Sequence, residues 1–431
     1  MALTGRTGLL ALLGAVVVGL VVPSWWGLFG VQAVLLVLVV VDVWLAGAVR
    51  SLRITRDGDT SVRLGEPAST TLTIENPGPR PVHGRLRDAW PPSAGAQVQR
   101  HDLDVLPGER RRVVTQLLPT RRGDRRAHKV TVRAYGPLRL AARQGSHAVP
   151  WRLRVLPAFG SRKHLPSRLA RLRELDGRTA VMVRGQGTEF DNLREYVVGD
   201  DVRSIDWRAS ARAADVMVRT WRPERDRHVV IVLDTGRTSA GRVGDAPRLD
   251  ASMDAALLLA ALASRAGDHV DLLAYDRRVR ARVEGAGTNE LLAALVQAMA
   301  PLEPELVEPD YTGMVGTILR RVRRRSLVVL LTGLDAAPVE EGLLPVLPAL
   351  VRRHQVVVAS VGDPRVDELA RGRGDVLAVY DAAAAERARA DRRRVTEMLR
   401  RRDVEVVDAP PDELPPALAD RYLALKAAGR L

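Results

Sequence analysis

The chain contains no cysteine. That excludes disulfides, thiol nucleophiles and thiolate metal sites. Histidine is sparse: eight residues are scattered along 431, with no paired spacing of the kind that holds zinc. Aromatic residues make up only 4%, so any local gathering of them is informative. No Gly-x-x-x-x-Gly-Lys-Ser/Thr run is present and no Gly-x-Gly-x-x-Gly follows a candidate strand, which removes the usual phosphate-cradling loops.

What the chain has in quantity is arginine and aliphatic residues. Its 66 Lys and Arg outnumber 51 Asp and Glu, giving a net charge of +15 and a pI near 11.0. Such a balance suits nucleic acid or an anionic membrane face. The arginines, however, are spread along the chain. The basic runs at residues 320–325 and 387–402 lack interleaved aromatics. They read as solvated helix faces or faces turned to anionic lipid, and no nucleic acid is expected.

Residues 1–50 read as a transmembrane helical hairpin. Residues 9–26 and 28–49 are two apolar runs, the second broken only by Gln32 and Asp42. Each approaches the roughly 20 residues needed to cross a bilayer core. Pro23, Ser24, Trp25, Trp26 and Gly27 make a turn between them with aromatics suited to the interface. Arg6 precedes the first run and Arg50, Arg53 and Arg56 follow the second, which places both ends in the cytoplasm. The expectation is a multi-pass cell-membrane protein with cytoplasmic soluble domains. Asp42 is read either as a functional intramembrane acid or as a residue that reaches the interface or pairs with a basic neighbour such as Arg50.

Residues 51–157 alternate short strands with turns, at residues 71–74, 82–86, 112–117, 129–135 and 151–156. This is the pattern of a β-sandwich. Residues 158–227 are a connector that carries the most distinctive stretch of the chain. From 228 to 431 continuous apolar strands alternate with helices, which predicts an α/β doubly wound domain with ligands beyond the C-terminal strand ends.

The distinctive stretch holds Glu189, Phe190, Arg194, Glu195, Tyr196, Gly199, Asp200, Asp201, Arg203, Asp206, Trp207, Arg208 and Arg212. Acids and arginines alternate closely, and three aromatics gather in an aromatic-poor chain. Phe190, Leu193 and Val197 recur at helical spacing, as do Val202, Ile205 and Ala209. Asp201 is placed to cap a helix beginning at Val202. Two short helices joined by an acidic turn and laced by carboxylate–guanidinium pairs are expected, with Asp206 a buried ion-pair partner and Trp207 a buried side chain. The stretch reads either as a structural knot or as a docking or catalytic surface. Its carboxylates beside arginines suit stable ionisation better than proton transfer, so no catalytic residue is assigned.

These residues, in this order, resemble the domain of unknown function 58 family. The resemblance covers Glu189-Phe190, residues 193–196, 199–203 and 205–208, and Ala211-Arg212. Members of that family are typically bacterial and similar to von Willebrand factor A proteins. They are often encoded beside MoxR-type AAA+ ATPases and transglutaminase-like proteins. The resemblance also implies an immunoglobulin-like or fibronectin-like module in the β region. After the first buried strand, Asp234-Thr235-Gly236-Arg237-Thr238-Ser239 resembles the Mg²⁺-holding Asp-x-Ser-x-Ser loop of von Willebrand factor A domains. Asp234 and Thr238 match its ligands, Thr288 stands for the later threonine, and Asp335 lies two residues beyond the usual acid at Gly333. Mg²⁺ would require a near-ideal octahedral oxygen shell, and this loop offers a degenerate one.

The reading is therefore a membrane-anchored, non-enzymatic scaffold or adaptor. It binds a protein partner, a MoxR-type AAA+ ATPase, in complex assembly or an envelope-related process. One rival is a hydrolase working through Asp200, Asp201 and Asp206. The other is a basic nucleic-acid-binding protein.

Overall fold

The computed structural model describes residues 2–21, 23–182, 189–198, 200–213, 215–222 and 227–431. They fall into two units, Met1–Leu156 and Pro157–Leu431.

The first unit opens with β1 (Ala2–Leu3), α1 (Gly5–Val21) and α2 (Trp25–Leu45). Ser24 caps α2 by accepting the Gly27 N–H at 3.1 Å. The α2 segment, Trp25–Ser51, is long and apolar enough to cross a membrane, with most of its side chains facing outward. Among the described residues the second expected full-length span is not found. α1 has 17 residues, which reach about 25 Å at 1.5 Å per residue, short of a hydrocarbon core of about 30 Å. The two helices touch where Gly14 leaves room for the Val31 side chain.

Two sheets follow. β2 (Arg53–Gly58), β4 (Ala68–Glu75) and β7 (Arg110–Leu117) form one. β3 (Ser61–Arg63), β5 (Val82–Asp88), β6 (Arg100–Val105), β8 (Gly123–Tyr135) and β9 (Ala141–Leu156) join β1 in the other, in the order β1-β9-β8-β5-β6 with β3 on β9. Every second residue of β4 is buried, as one-sided packing requires. Leu72, Ile74, Leu86, Leu103, Val113, Val130 and Val132 meet in a core between the sheets. The strand expected at residues 151–156 is the end of a single 16-residue β9. Pro150 is tolerated because His128 of β8 opposes both Val149 and Pro150 in a bulge.

Asp42 joins the apolar helix to the sandwich. Its carboxylate is wholly buried and accepts the N–H groups of Leu138, Leu140 and Ala141 at 2.7, 2.8 and 2.9 Å. Neither Arg50 nor open solvent is its partner. The β8–β9 turn has doubled back onto the helix end and aimed three peptide donors at it. Gly136 of that turn lies so close to the Asp42 carbonyl and carboxylate that no Cβ fits. Leu156, where the chain leaves the sandwich, is at the opposite end of β9 from this turn.

The second unit begins with α3 (Leu165–Met182). A small β10 (Glu189–Glu195), α4 (Trp207–Ala213), β11 (Met217–Arg222) module follows. The α/β region then runs β12 (His228–Asp234), α5 (Arg237–Ala240), β13 (Arg242–Val243), β14 (Ala246–Pro247), α6 (Arg248–Arg265), β15 (His269–Tyr275), β16 (Val279–Val283), α7 (Leu291–Met299), α8 (Tyr311–Arg321), β17 (Leu327–Leu331), α9 (Leu344–Val351), β18 (Gln355–Val361), α10 (Pro364–Leu369), α11 (Val376–Arg400), β19 (Val404–Ala409) and α12 (Leu414–Ala427). Its sheet order is β16-β15-β12-β17-β18-β19, all parallel except the edge strand β16. β17 and β18 are buried at every position, the expected signature of parallel strands covered on both faces. Val230, Val232, Val328, Leu330, Val356 and Val358 pack with α8, α9 and α11, while α6 and α12 also pack on the sheet. α8 escapes the sequence reading because Gly313 and Gly316 interrupt its pattern; Asp310 caps it.

Replacing Asp42 by Ala strands three buried N–H groups, each costing about 1–3 kcal/mol. Asp42→Ala is expected to lower the melting temperature and to speed amide hydrogen exchange in residues 136–141. Asp42→Asn, which keeps one acceptor oxygen, falls between.

Candidate functional site

Two places collect the residues singled out by the sequence. The first is the β10–α4–β11 module. Glu189, Phe190, Arg194 and Glu195 lie on a strand, not on a helix. Residues 189–195 pair antiparallel with residues 217–222, with a bulge between Phe190 and Asn192. Strand pairing satisfies every second backbone group against β11, and that gain outweighs the weak helical spacing of three apolar residues. Gly199 lies outside the described residues.

The remaining expectations divide. Asp201 caps the short 3₁₀ turn Val202–Ser204 by accepting the Arg203 N–H at 2.9 Å, as expected. Arg194 pairs with Asp200 at 2.6 Å, and the other Asp200 oxygen accepts the Val197 N–H at 2.9 Å. Asp206 caps α4 through the N–H groups of Arg208 and Ala209, both at 3.0 Å. Its second oxygen takes Arg219 at 2.7 Å. Arg219 is outside the expected stretch; the β11 register brings it there. Hydrogen bonding from the Ala209 amide, then from Arg219, holds the Asp206 carboxyl below the usual carboxylate range. Asp200 and Asp206 are thus ion-paired and Asp201 is a cap. Trp207 is not buried: it is 70% exposed, and Val197, Val198 and Val202 beside it in the sequence are exposed too. Glu195, Arg203, Arg208 and Arg212 face solvent, and Tyr196 is half-buried, its N–H on the Val216 carbonyl at 2.7 Å.

The second place is the C-terminal end of the α/β sheet. Asp234 ends β12 there and is buried. Its Oδ1 accepts the Gly236 N–H at 2.7 Å, and its Oδ2 accepts the hydroxyls of Thr238 at 2.5 Å and Thr332 at 2.7 Å. Tyr311, from α8, meets the Thr332 hydroxyl at 3.1 Å. Burial pushes the Asp234 carboxyl up, against those three hydrogen bonds, and also raises the Tyr311 phenol. A serine cannot replace Gly236: its Cβ would lie 2.9 Å from both Pro309 Cγ and the Val307 carbonyl. The space at Gly333 is taken by the Asp335 carboxylate, 2.7 Å from where a Cβ would stand and close to Thr238. Arg248 approaches that same carboxylate at 3.5 Å.

Thr288 is not part of this group. β16 runs antiparallel to β15, so Val283 pairs with Leu272 and Gly285 donates to Asp271 at 3.3 Å. Asp234 pairs instead with Tyr275, four residues further along β15 and so about 13 Å away. The hairpin delivers Thr288 to the wrong end of the sheet. The residues present do not fit a resident Mg²⁺. Both Asp234 oxygens are occupied by protein donors, the Gly236 and Gly333 positions have no room for the usual side chains, and one expected hydroxyl is at the far edge.

Residues 192–406 match the family described as Protein of unknown function DUF58. The chain belongs to the DUF58 family. Among curated proteins it is similar to the uncharacterized proteins Rv1480 of Mycobacterium tuberculosis and Mb1516 of Mycobacterium bovis. Each is 27% identical over 197 residues, covering 45% of this chain and 61% of the relative. The chain thus spans less than two thirds of the curated relatives it matches. Among solved structures, the CARDB domain of the PF1109 protein of Pyrococcus furiosus aligns over 24% of this chain and 91% of its own. It shows 17% identity and a TM-score of 0.20. A β-glucosidase of Listeria innocua aligns over 23% of this chain and 16% of its own, at 13% identity and a TM-score of 0.16. Likenesses this slight bear on neither fold nor function. The DUF58 match takes in most of the β10–α4–β11 module and the Asp234 loop.

Asp206→Ala is expected to lower the melting temperature, because it removes both the α4 cap and the Arg219 pair. Trp207→Ala should stay within about 0.5 kcal/mol of the parent. Equal destabilisation by both would show that the tryptophan is packed.

Asp234→Ala strands three buried donors and should cost about 3 kcal/mol or more. Asp234→Asn tests the carboxyl itself. The folded acid binds its proton more tightly than the unfolded chain does. The wild type should therefore gain stability over Asp234→Asn as pH falls from neutrality towards the ordinary carboxylate value near 4. Calorimetric titration with Mg²⁺ should show no saturable binding, and a micromolar site would refute this account.

Proposed function

We propose that this DUF58 protein is a membrane-anchored adaptor, and that its α/β region is a doubly wound, von Willebrand factor A-like domain that binds a protein partner. The anchor is α2, with α1 completing a hairpin and the soluble units on the cytoplasmic side. Four parallel crossovers among β15, β12, β17, β18 and β19, with an antiparallel strand at one edge and Asp234 at the end of the first strand, support the domain reading.

One observation carries the binding role. α11 overhangs the sheet. Arg392 marks the level of the C-terminal strand ends, donating to the Ser360 hydroxyl, the Val361 carbonyl and Asp408. The helix begins at Val376, 16 residues earlier, so about 24 Å of it projects past the strands. That overhang exposes Val376, Leu377, Val379 and Tyr380, with Leu377 75% and Tyr380 71% exposed, and Leu369 of α10 is exposed as well. Apolar side chains gathered on one projecting turn mark a protein contact. They lie at the same end of the sheet as Asp234, whose loop is held in shape by Thr238, Thr332 and Arg248.

The proposed partner is a MoxR-type AAA+ ATPase, following the family resemblance, in assembly of an envelope-associated complex. The chain itself acts by binding and not by catalysis. The test is co-purification with the MoxR-type ATPase of the same genome. Leu377→Glu combined with Tyr380→Glu should abolish capture while leaving the melting temperature unchanged, and EDTA should have no effect. Undiminished capture by that variant would refute the assignment.

A further inference from the structure

The sandwich does not hang from its helix on a linker. Asp42 of α2 takes three N–H groups from the 138–141 segment, and Thr4, just before α1, reaches the same turn from the other side. The Thr4 N–H and hydroxyl bond the Leu140 carbonyl, both at 3.0 Å, and the hydroxyl also lies 2.6 Å from the Arg139 carbonyl. Thr7 adds its hydroxyl to Leu140, and β1 pairs with Ala141 and Ala142. His147 bonds the Val49 carbonyl at 3.0 Å. The β8–β9 turn is clamped between the ends of both apolar helices.

That clamp fixes what the turn shows to its surroundings. Pro137, Leu138 and Arg139 point outward, Leu138 being 49% exposed, and Arg139 is held at a positive φ of 55°. Such a backbone conformation is uncommon for a residue other than glycine and persists only where its surroundings impose it. Beside the turn, Trp44 is 62% exposed at the end of α2. The Arg80 guanidinium sits 4.8 Å from its ring centre and donates to its carbonyl. Arg6 is exposed two residues beyond Thr4. Four acids at this end have protein partners: Asp42 its three amides, Glu75 Arg110, Glu109 the Leu106 N–H, and the exposed Asp104 the His83 ring at 2.7 Å.

We infer that this end of the sandwich is seated on the bilayer itself, as a binding surface for anionic phospholipid. Leu138 and Trp44 enter the interfacial layer, and Arg6, Arg80 and Arg139 take the headgroup phosphates. The inference rests on α2 being a membrane span. It follows from continuity: the outward-facing apolar surface of α2 ends at the level of this collar. A tryptophan with an exposed aliphatic fits the headgroup boundary, and guanidinium groups pair with phosphate bidentately. The sandwich is then held in one orientation, with Leu156 up to about 50 Å from the collar along β9.

The absence of cysteine makes the test clean. Leu138→Cys and, as a control at the opposite end, Val98→Cys are each labelled in the full chain with an environment-sensitive fluorophore. The chain is reconstituted into phosphatidylglycerol–phosphatidylcholine vesicles or phosphatidylcholine vesicles carrying headgroup-level nitroxide lipid. The label at position 138 should shift to the blue and be quenched several-fold more than that at position 98, more so with phosphatidylglycerol. Replacing Arg6, Arg80 and Arg139 together by Gln should remove the difference between the two lipids. Protein that resists carbonate extraction yet shows equal quenching at both positions overturns the seating while leaving the anchor intact. Quenching indifferent to phosphatidylglycerol overturns the anionic preference. Extraction by carbonate overturns the membrane span and this inference with it.

Discussion

A single carboxylate organises the first unit. Asp42 sits near the end of an apolar helix where an unpaired charge would be very costly, and its surroundings meet that cost with three peptide N–H groups from a turn nearly a hundred residues later. The turn is held because the helix supplies the acceptor. The acid is tolerated because the turn supplies the donors. The β8–β9 pair, the N-terminal residues and the exit from α2 are all arranged around that exchange.

The same device recurs. Asp88, buried in the sandwich, is met by Arg56 at 2.5 Å, the Trp90 indole N–H at 2.9 Å and the Thr115 hydroxyl at 3.0 Å. Asp206 holds the α4 cap and Arg219, and Asp234 holds Gly236, Thr238 and Thr332. The environments differ, so the proton affinities part: the Ala209 amide and then Arg219 hold the half-buried Asp206 below the usual carboxylate range, while burial of Asp234 works the other way. What these acids share is a saturated set of protein donors. This is why the clusters that look like chemistry in the sequence act as joints in the structure, while apolar side chains such as Trp207, Leu377 and Tyr380 stand exposed.

Apart from α8 and α10, the order of the main strands and helices in the α/β region was legible because those elements are long and strongly patterned. Residues 229–233, 327–331 and 356–359 are continuous apolar runs rich in β-branched residues, which suit strands covered on both faces. α6 and α11 are long enough for their periodicity to show. Asp201 as a cap, Asp234 at a strand end and the apolar length of residues 25–45 are local properties, readable from a few neighbouring residues. The β10 strand was not legible, because its partner lies more than twenty residues away and its own apolar spacing suits a helix.

Local sequence therefore determined most of the helices and strands of the α/β region, which aspartate ends the first strand, and which stretch is apolar enough to cross a membrane. Tertiary structure alone decided the partners. Arg219 reaches Asp206 through a strand register, Thr288 is carried to the wrong end of the sheet by an antiparallel return, and Asp42 finds its donors in a distant turn. Trp207 is left outside, since among the described residues no element folds over it. Hydrogen bonds and burial depend on positions in space that chain separation does not encode, and that is where the contacts of these residues were fixed.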